Sequence, residues 1–194
     1  MVIAQRRLAW SVFAVMLSVS ACATSAPDPS PAPDLRPVVD QAPYWCEFVS
    51  QESFQRVTGD TRAYTDRKDG PWKNDGGCLV EGGSNGDPVG VWWSRIDDSA
   101  ERLELAHENW DQTKPTPLPA QLGEGFATYA GNDMLGGRPY FVISRFSCGG
   151  EKPWIGIDLK RVAKGRDAIK DLTDLMRVAQ KRYGDLHRCT PSPA

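Results

Sequence analysis

Five cysteines constrain this chain more than any other feature, because they divide into one and four. Cys22 closes the run Val19-Ser20-Ala21-Cys22 at the edge of an apolar N-terminal segment, whereas Cys46, Cys78, Cys148 and Cys189 are spread along the rest of the 194 residues. Arg6 and Arg7 precede the apolar stretch Leu8 to Ala21, which is too short to span a bilayer stably and has the layout of a signal peptide. The four residues ending in Cys22 read as a lipobox. Residues 1–21 are therefore expected to be removed, leaving Cys22 as a lipid-bearing N-terminus on the extracytoplasmic face of a cell membrane. A chain bound for that compartment meets oxidising conditions, so its four remaining cysteines predict two disulfides. Four cysteines allow three pairings. The expected one is Cys46 with Cys78 and Cys148 with Cys189, since each pair would join a helix end to a nearby strand without crossing the domain. Each closed loop would contribute roughly 3 to 4 kcal/mol in the chain-entropy picture. A metal site lacks support, because there is no Cys-x-x-Cys and neither His107 nor His187 stands at finger spacing from a cysteine.

Residues 22–43 read as the lipidated cysteine followed by a tether. Prolines 27, 29, 31, 33, 37 and 43 stand there among Ala, Ser and Asp, a composition with too little apolar surface to order itself. In polyproline II geometry the stretch from Cys22 to Tyr44 would reach roughly 65 Å. Residues 44–190 are of ordinary single-domain size, and residues 191–194 read as a disordered tail. The formal net charge of −2 becomes −4 once Arg6 and Arg7 leave with the signal segment. Nothing longer than short mixed runs such as Lys160-Arg161 supplies positive charge, so nucleic acid is an unsuitable partner.

Periodicity divides the domain into alternating elements. Ser50 has the character of an N-cap, with Phe54 and Val57 on one face of a short helix that Gly59 ends. Gly77 to Val80 and Val89 to Ile96 read as a hairpin around the turn Gly82 to Pro88. Asp98 and Glu101 resemble a capping box for a second helix, in which Leu103, Ala106, His107 and Trp110 recur at helical spacing. The proline-rich Thr113 to Pro119 is a loop, and Phe126 to Ala130, Tyr140 to Cys148 and Trp154 to Leu159 supply three further strands. Ile169, Leu172, Met176, Ala179 and Tyr183 form the stripe of a last helix behind Asp167, with Gly184 placed as its C-cap. Met176 and Tyr183 belong to that stripe and are expected in the core. The order helix-β-β-helix-β-β-β-helix predicts an α+β fold, a mainly antiparallel sheet of about five strands packed by two to three helices.

Catalytic signatures are sparse. There is no His-Glu-x-x-His, no Ser-x-x-Lys with companion motifs and no phosphate-binding loop. Gly82-Gly83-Ser84-Asn85-Gly86 is glycine-rich but falls in a hairpin turn, without the helix N-terminus that would hold a phosphate. The acids Asp97, Asp98, Glu101 and Glu104 stand at a helix start, where carboxylates favour the dipole. No catalytic residue, cofactor or metal is expected. Tryptophan is the feature left over, since adjacent Trp92 and Trp93 must point to opposite faces of a strand. Trp45, Trp72, Trp92 and Trp154 are the candidates for contact with a ligand or partner.

The lipobox at Val19 to Cys22, the Pro/Ala/Ser tether, Trp45-Cys46, Gly77-Cys78 and the Leu122-Gly123-Glu124-Gly125 turn before Phe126 together give a resemblance. The chain resembles small actinobacterial cell-envelope lipoproteins of a domain-of-unknown-function family, of the PsbP-like structural type. That resemblance implies a non-catalytic envelope lipoprotein. The expected function is accordingly a membrane-anchored binding or scaffolding module that recruits another envelope protein. Two alternatives stand beside it: a carrier or sensor of a small apolar or lipidic ligand, and an envelope hydrolase with spatially assembled acids.

Overall fold

Apolar residues directed to both faces of the central strands decide the architecture. The computed structural model describes residues 34–194 except 71–73, 96–98 and 132–135; Cys22, the signal segment, the start of the tether and Trp72 lie outside the described residues. The elements run β1 (Tyr44–Trp45), β2 (Val49–Ser50), α1 (Gln51–Thr58), β3 (Thr65–Asp69), β4 (Asp75–Glu81), β5 (Val89–Ser94), α2 (Ser99–Trp110), β6 (Thr116–Pro117), β7 (Glu124–Tyr129), β8 (Tyr140–Ser147), β9 (Trp154–Leu159), α3 (Ala168–His187) and β10 (Ser192–Pro193). Strands β3-β4-β5-β9-β8-β7-β6 form one antiparallel sheet in that order, and β10 pairs with β8. The α+β, mainly antiparallel class is as the periodicity predicted, but the described residues hold more strands than five.

One sheet face carries Val80, Val89, Val91, Trp93, Ile155, Ile157, Leu159 and Val142 in cross-strand register. It meets Phe54 and Val57 of α1 and Leu172, Leu175, Met176, Ala179 and Tyr183 of α3 in the main core. Full burial of each large apolar side chain is worth roughly 1.5–3 kcal/mol, so this face is what holds the molecule together. On the opposite face Phe126, Phe141 and Ile143 pack beneath Leu103, Ala106 and Trp110 of α2 as a separate cluster. Helices thus stand on both faces of the sheet; Trp93 joins the main core, and Trp92, on the opposite face, is half-buried.

The ends of α1 and α3 follow the cap chemistry with one exception, while Asp98, expected to cap α2, lies outside the described residues. Ser50 accepts from Ser53 N at the start of α1, and Gly59 closes it at φ 65°. Asp167 caps α3 through Lys170 N. The helix does not stop at Gly184: it continues to His187 and is closed by Arg188 at φ 55°. Gly184 is needed for another reason. A Cβ there would lie 2.7 Å from Cys189 O and 2.7 Å from Pro191 Cδ, because the chain beyond the helix folds back over it.

That return carries the C-terminus against the sheet. Ser192 and Pro193 pair with Ser147 and Phe146, so the tail that composition marked as disordered adds a short strand, held from behind by Cys189. The disulfides are Cys46–Cys78 and Cys148–Cys189, with Cα separations of 5.6 and 5.4 Å, the expected pairing. Cys46 does not open the first helix. It stands with Glu47 at positive φ in the turn between β1 and β2.

The tether boundary also moves. Asp34 to Pro43 forms an arm laid along α1. Val39 N donates to Ser53 Oγ at 2.7 Å, and Ser53 Oγ donates back to Val39 O at 2.7 Å. Arg56 Nη1 donates to Pro37 O at 2.7 Å, and Val38 packs on the main core. Arg166, paired with Asp171 at 2.6 Å, donates to Asp34 O and, at 3.1 Å, to Arg36 O. Partners from distant parts of the chain order a segment whose own composition cannot.

Candidate functional site

The local chemistry that ends α1 also builds a cleft. Thr58 Oγ1 donates to Phe54 O at 2.7 Å and accepts from Asp60 N at 3.1 Å, and the left-handed Gly59 turns the chain between them. Asp60, only 4 % exposed, is thereby directed inward. Its Oδ1 accepts from Arg62 N (3.2 Å) and Nε (2.9 Å), and its Oδ2 from Arg62 Nη2 (2.5 Å) and Tyr64 OH (2.7 Å). Arg161 Nη2 stands 3.6 Å from the same Oδ2. Hydrogen bonding from Arg62, above all, holds the Asp60 carboxyl well below the usual carboxylate range. Burial, then the bond to Asp60, pushes the Tyr64 hydroxyl up to about 12.

The facing wall comes from the β4–β5 connection and the segment after β9. A single 3-10 turn, Gly83–Asn85, leads into β5, and Lys160 Nζ reaches over it to donate to Asn85 O. Lys160 N bonds Pro88 O at 2.9 Å, which fixes the strand end carrying both Lys160 and Arg161. The space between has a volume of about 550 Å³. Phe54, Thr58 and Pro88 are its buried floor; Arg62, Ser84, Asn85, Lys160 and Arg161 are its exposed rim. Three cations therefore surround one carboxylate that is already fully engaged. Asp60 positions two guanidinium groups, Arg62 and Arg161, and the summed formal charge of the lining is positive.

Gly82-Gly83-Ser84-Asn85-Gly86 spells the Gly-x-Ser-x-Gly pattern of serine hydrolases, and Ser84 lines this cleft. The backbone differs from a nucleophile elbow, since the turn joins two antiparallel strands and not a strand to a helix. The histidines lie elsewhere. His107 of α2 packs on Phe126 at 4.5 Å and His187 of α3 on Tyr183 at 4.1 Å; neither lines the cleft. The cleft contains one carboxylate, so it presents no acid pair.

The sequence-selected tryptophans are separated by the fold. Trp45 is half-buried, edge-on to Tyr64 at 6.4 Å. Trp92 lies over Gly77, where a Cβ would approach the ring to 2.5 Å, and donates from Nε1 to Asp158 Oδ2 at 2.7 Å. Trp154 packs on the α2 cluster with its Nε1 buried and unbonded. These three do not converge on one site.

Asp158 is another buried charge. It is fully enclosed, accepts from Arg138 Nε and Trp92 Nε1, and lies where a Cβ on Gly90 would collide with it. Burial pushes its carboxyl up, against the pull of Arg138 and Trp92. The pair reads as internal bracing of the second sheet face. One set of metal-type ligand atoms, Cys46, Asp66 and Cys78, falls within 4.8 Å, but its sulfurs form a disulfide and offer no thiolate.

No helix among the described residues is long and apolar enough to cross a membrane. No protein-family model matches the chain, and no curated protein or solved structure is significantly similar to it.

Proposed function

We propose that this chain is a membrane-tethered, extracytoplasmic binding module, lipidated at Cys22, that recruits another component of the bacterial envelope without chemistry of its own. The observation that carries this reading is the pairing of every cysteine beyond Cys22 into two disulfides, which suits an oxidising compartment. The arrangement of the cleft supports binding over catalysis, because its one carboxylate serves to position arginines. Kinship with the actinobacterial PsbP-like lipoproteins remains part of the proposal and rests on the sequence features alone.

Metabolic labelling with an alkyne fatty acid tests it. Label is expected on the wild-type chain in the membrane fraction and is expected to vanish in Cys22→Ser. An unlabelled wild-type chain, or free cysteine thiols in the protein as isolated, would overturn the reading.

A further inference from the structure

The cleft and the root of the tether are at the same end of α1, and one segment builds both. Residues 160–166 leave β9, supply Lys160 and Arg161 to the cleft, tie Ala163 N to Val57 O at 2.7 Å, and end at Arg166, which grips the carbonyls of Asp34 and Arg36. The arm therefore leaves the domain beside the cationic rim. Eleven residues lie between Cys22 and Asp34, a span of at most about 40 Å when fully extended. Such a leash keeps this end of the domain within reach of the membrane that holds the anchor.

We propose that the cleft binds the phosphate-bearing headgroup of an anionic lipid in that membrane. This deepens the tethered-module reading and rests on it. Two guanidinium groups oriented by a buried carboxylate, with an ammonium across from them, match the oxygens of a phosphate. Ser84 and Asn85 on the rim suit a hydroxylated headgroup, and the volume of about 550 Å³ accommodates more than phosphate alone. The polar rim leaves acyl chains in the bilayer, so only the headgroup is read.

Flotation of the oxidised, unlipidated chain from Ala23 to Ala194 tests this without an acyl group to force membrane association. Vesicles of phosphatidylcholine alone are compared with vesicles containing phosphatidylglycerol, and glycerol 3-phosphate with glycerol serves as the soluble pair. Binding is expected only to the phosphatidylglycerol vesicles and is expected to be displaced by glycerol 3-phosphate. Lys160→Gln with Arg161→Gln should weaken it at least tenfold, since each cation near an anionic surface is worth a factor of about five. Both side chains are exposed, and an unchanged unfolding midpoint confirms the fold. The charge-matched pair Lys152→Gln with Arg177→Gln, away from the cleft, should bind as wild type; equal weakening there would reduce the effect to general attraction and overturn the proposal. Saturable, cleft-dependent binding of glycerol 3-phosphate without vesicle binding would overturn the lipid source and assign a soluble phosphate ester. Absence of both would overturn the site itself. Fatty-acid labelling of Cys22 is independent of all these outcomes, so failure of the tether and failure of the cleft are read separately.

Discussion

At the scale of single residues, the buried aspartates Asp60 and Asp158 have opposite electrostatic settings. Asp60 is stabilised as a carboxylate by Arg62 and Tyr64. Its native pKa lies below the unfolded value of about 4, so it contributes stability that is complete above pH 4 and fades as pH falls below that. Urea midpoints measured from pH 6 downward should show this fading in the wild type and a flatter acid limb in Asp60→Asn. At neutral pH that substitution should cost about 2–3 kcal/mol, as expected for charge-assisted bonds lost at an enclosed site. Asp158 carries a raised pKa from burial, and its value lies in matching Arg138 and Trp92. Asp158→Ala leaves a mostly buried guanidinium and an indole N–H without their acceptor, for which denaturant unfolding should register a loss of about 3–5 kcal/mol. Replacing both partners, Asp158→Leu with Arg138→Met, should cost less than the single change.

At the scale of elements, the arm along α1 is separable from the core. Ser53 makes both hydrogen bonds to Val39, so Ser53→Ala should release the arm to proteolysis near Val38 while amide exchange in β5, β8 and β9 stays slow. Gly184→Ala should lower the unfolding midpoint by the equivalent of about 1–3 kcal/mol, because a methyl group meets backbone at Cys189 and the ring of Pro191. These same elements mark where sequence reading reached its limit. The α1 caps, the α3 stripe and strands β4, β5, β8 and β9 were legible because apolar period and cap residues agree there. β3 was not, since Thr65-Asp66-Arg67-Lys68-Asp69 is charged on both faces as an edge strand can be. β6 and β10 contain proline and pair at edges. The arm was invisible because its order comes from Ser53, Arg56 and Arg166, far away in sequence. The cleft was hidden likewise: Lys160-Arg161 looked like an unremarkable mixed run, and only folding brings Asp60 beneath it. Thr58-Gly59-Asp60, a cap followed by an inward acid, was the one local signal.

At the scale of the whole molecule, two covalent bonds secure two separate strands of one sheet. Cys46–Cys78 ties the β1–β2 turn to β4, and Cys148–Cys189 ties the end of α3 to the end of β8. Loss of either bridge should cost about 2–5 kcal/mol, measured by thermal unfolding of Cys46→Ala/Cys78→Ala and Cys148→Ala/Cys189→Ala. The first variant should also loosen the arm, which enters the domain through β1, and the second should free β10. The placement of the first bridge has a mechanical consequence. Tension applied upstream of Asp34 reaches the domain through the arm, so the hydrogen bonds to Arg166, Arg56 and Ser53 yield one after another, as in peeling a strip. The peeling front then meets Cys46, whose covalent link passes the load directly into β4, the strand next to the β3 edge of the sheet. A single-molecule pull should therefore show an early, low-force lengthening confined to residues 34–45, then a hard stop that disappears in the presence of a reductant.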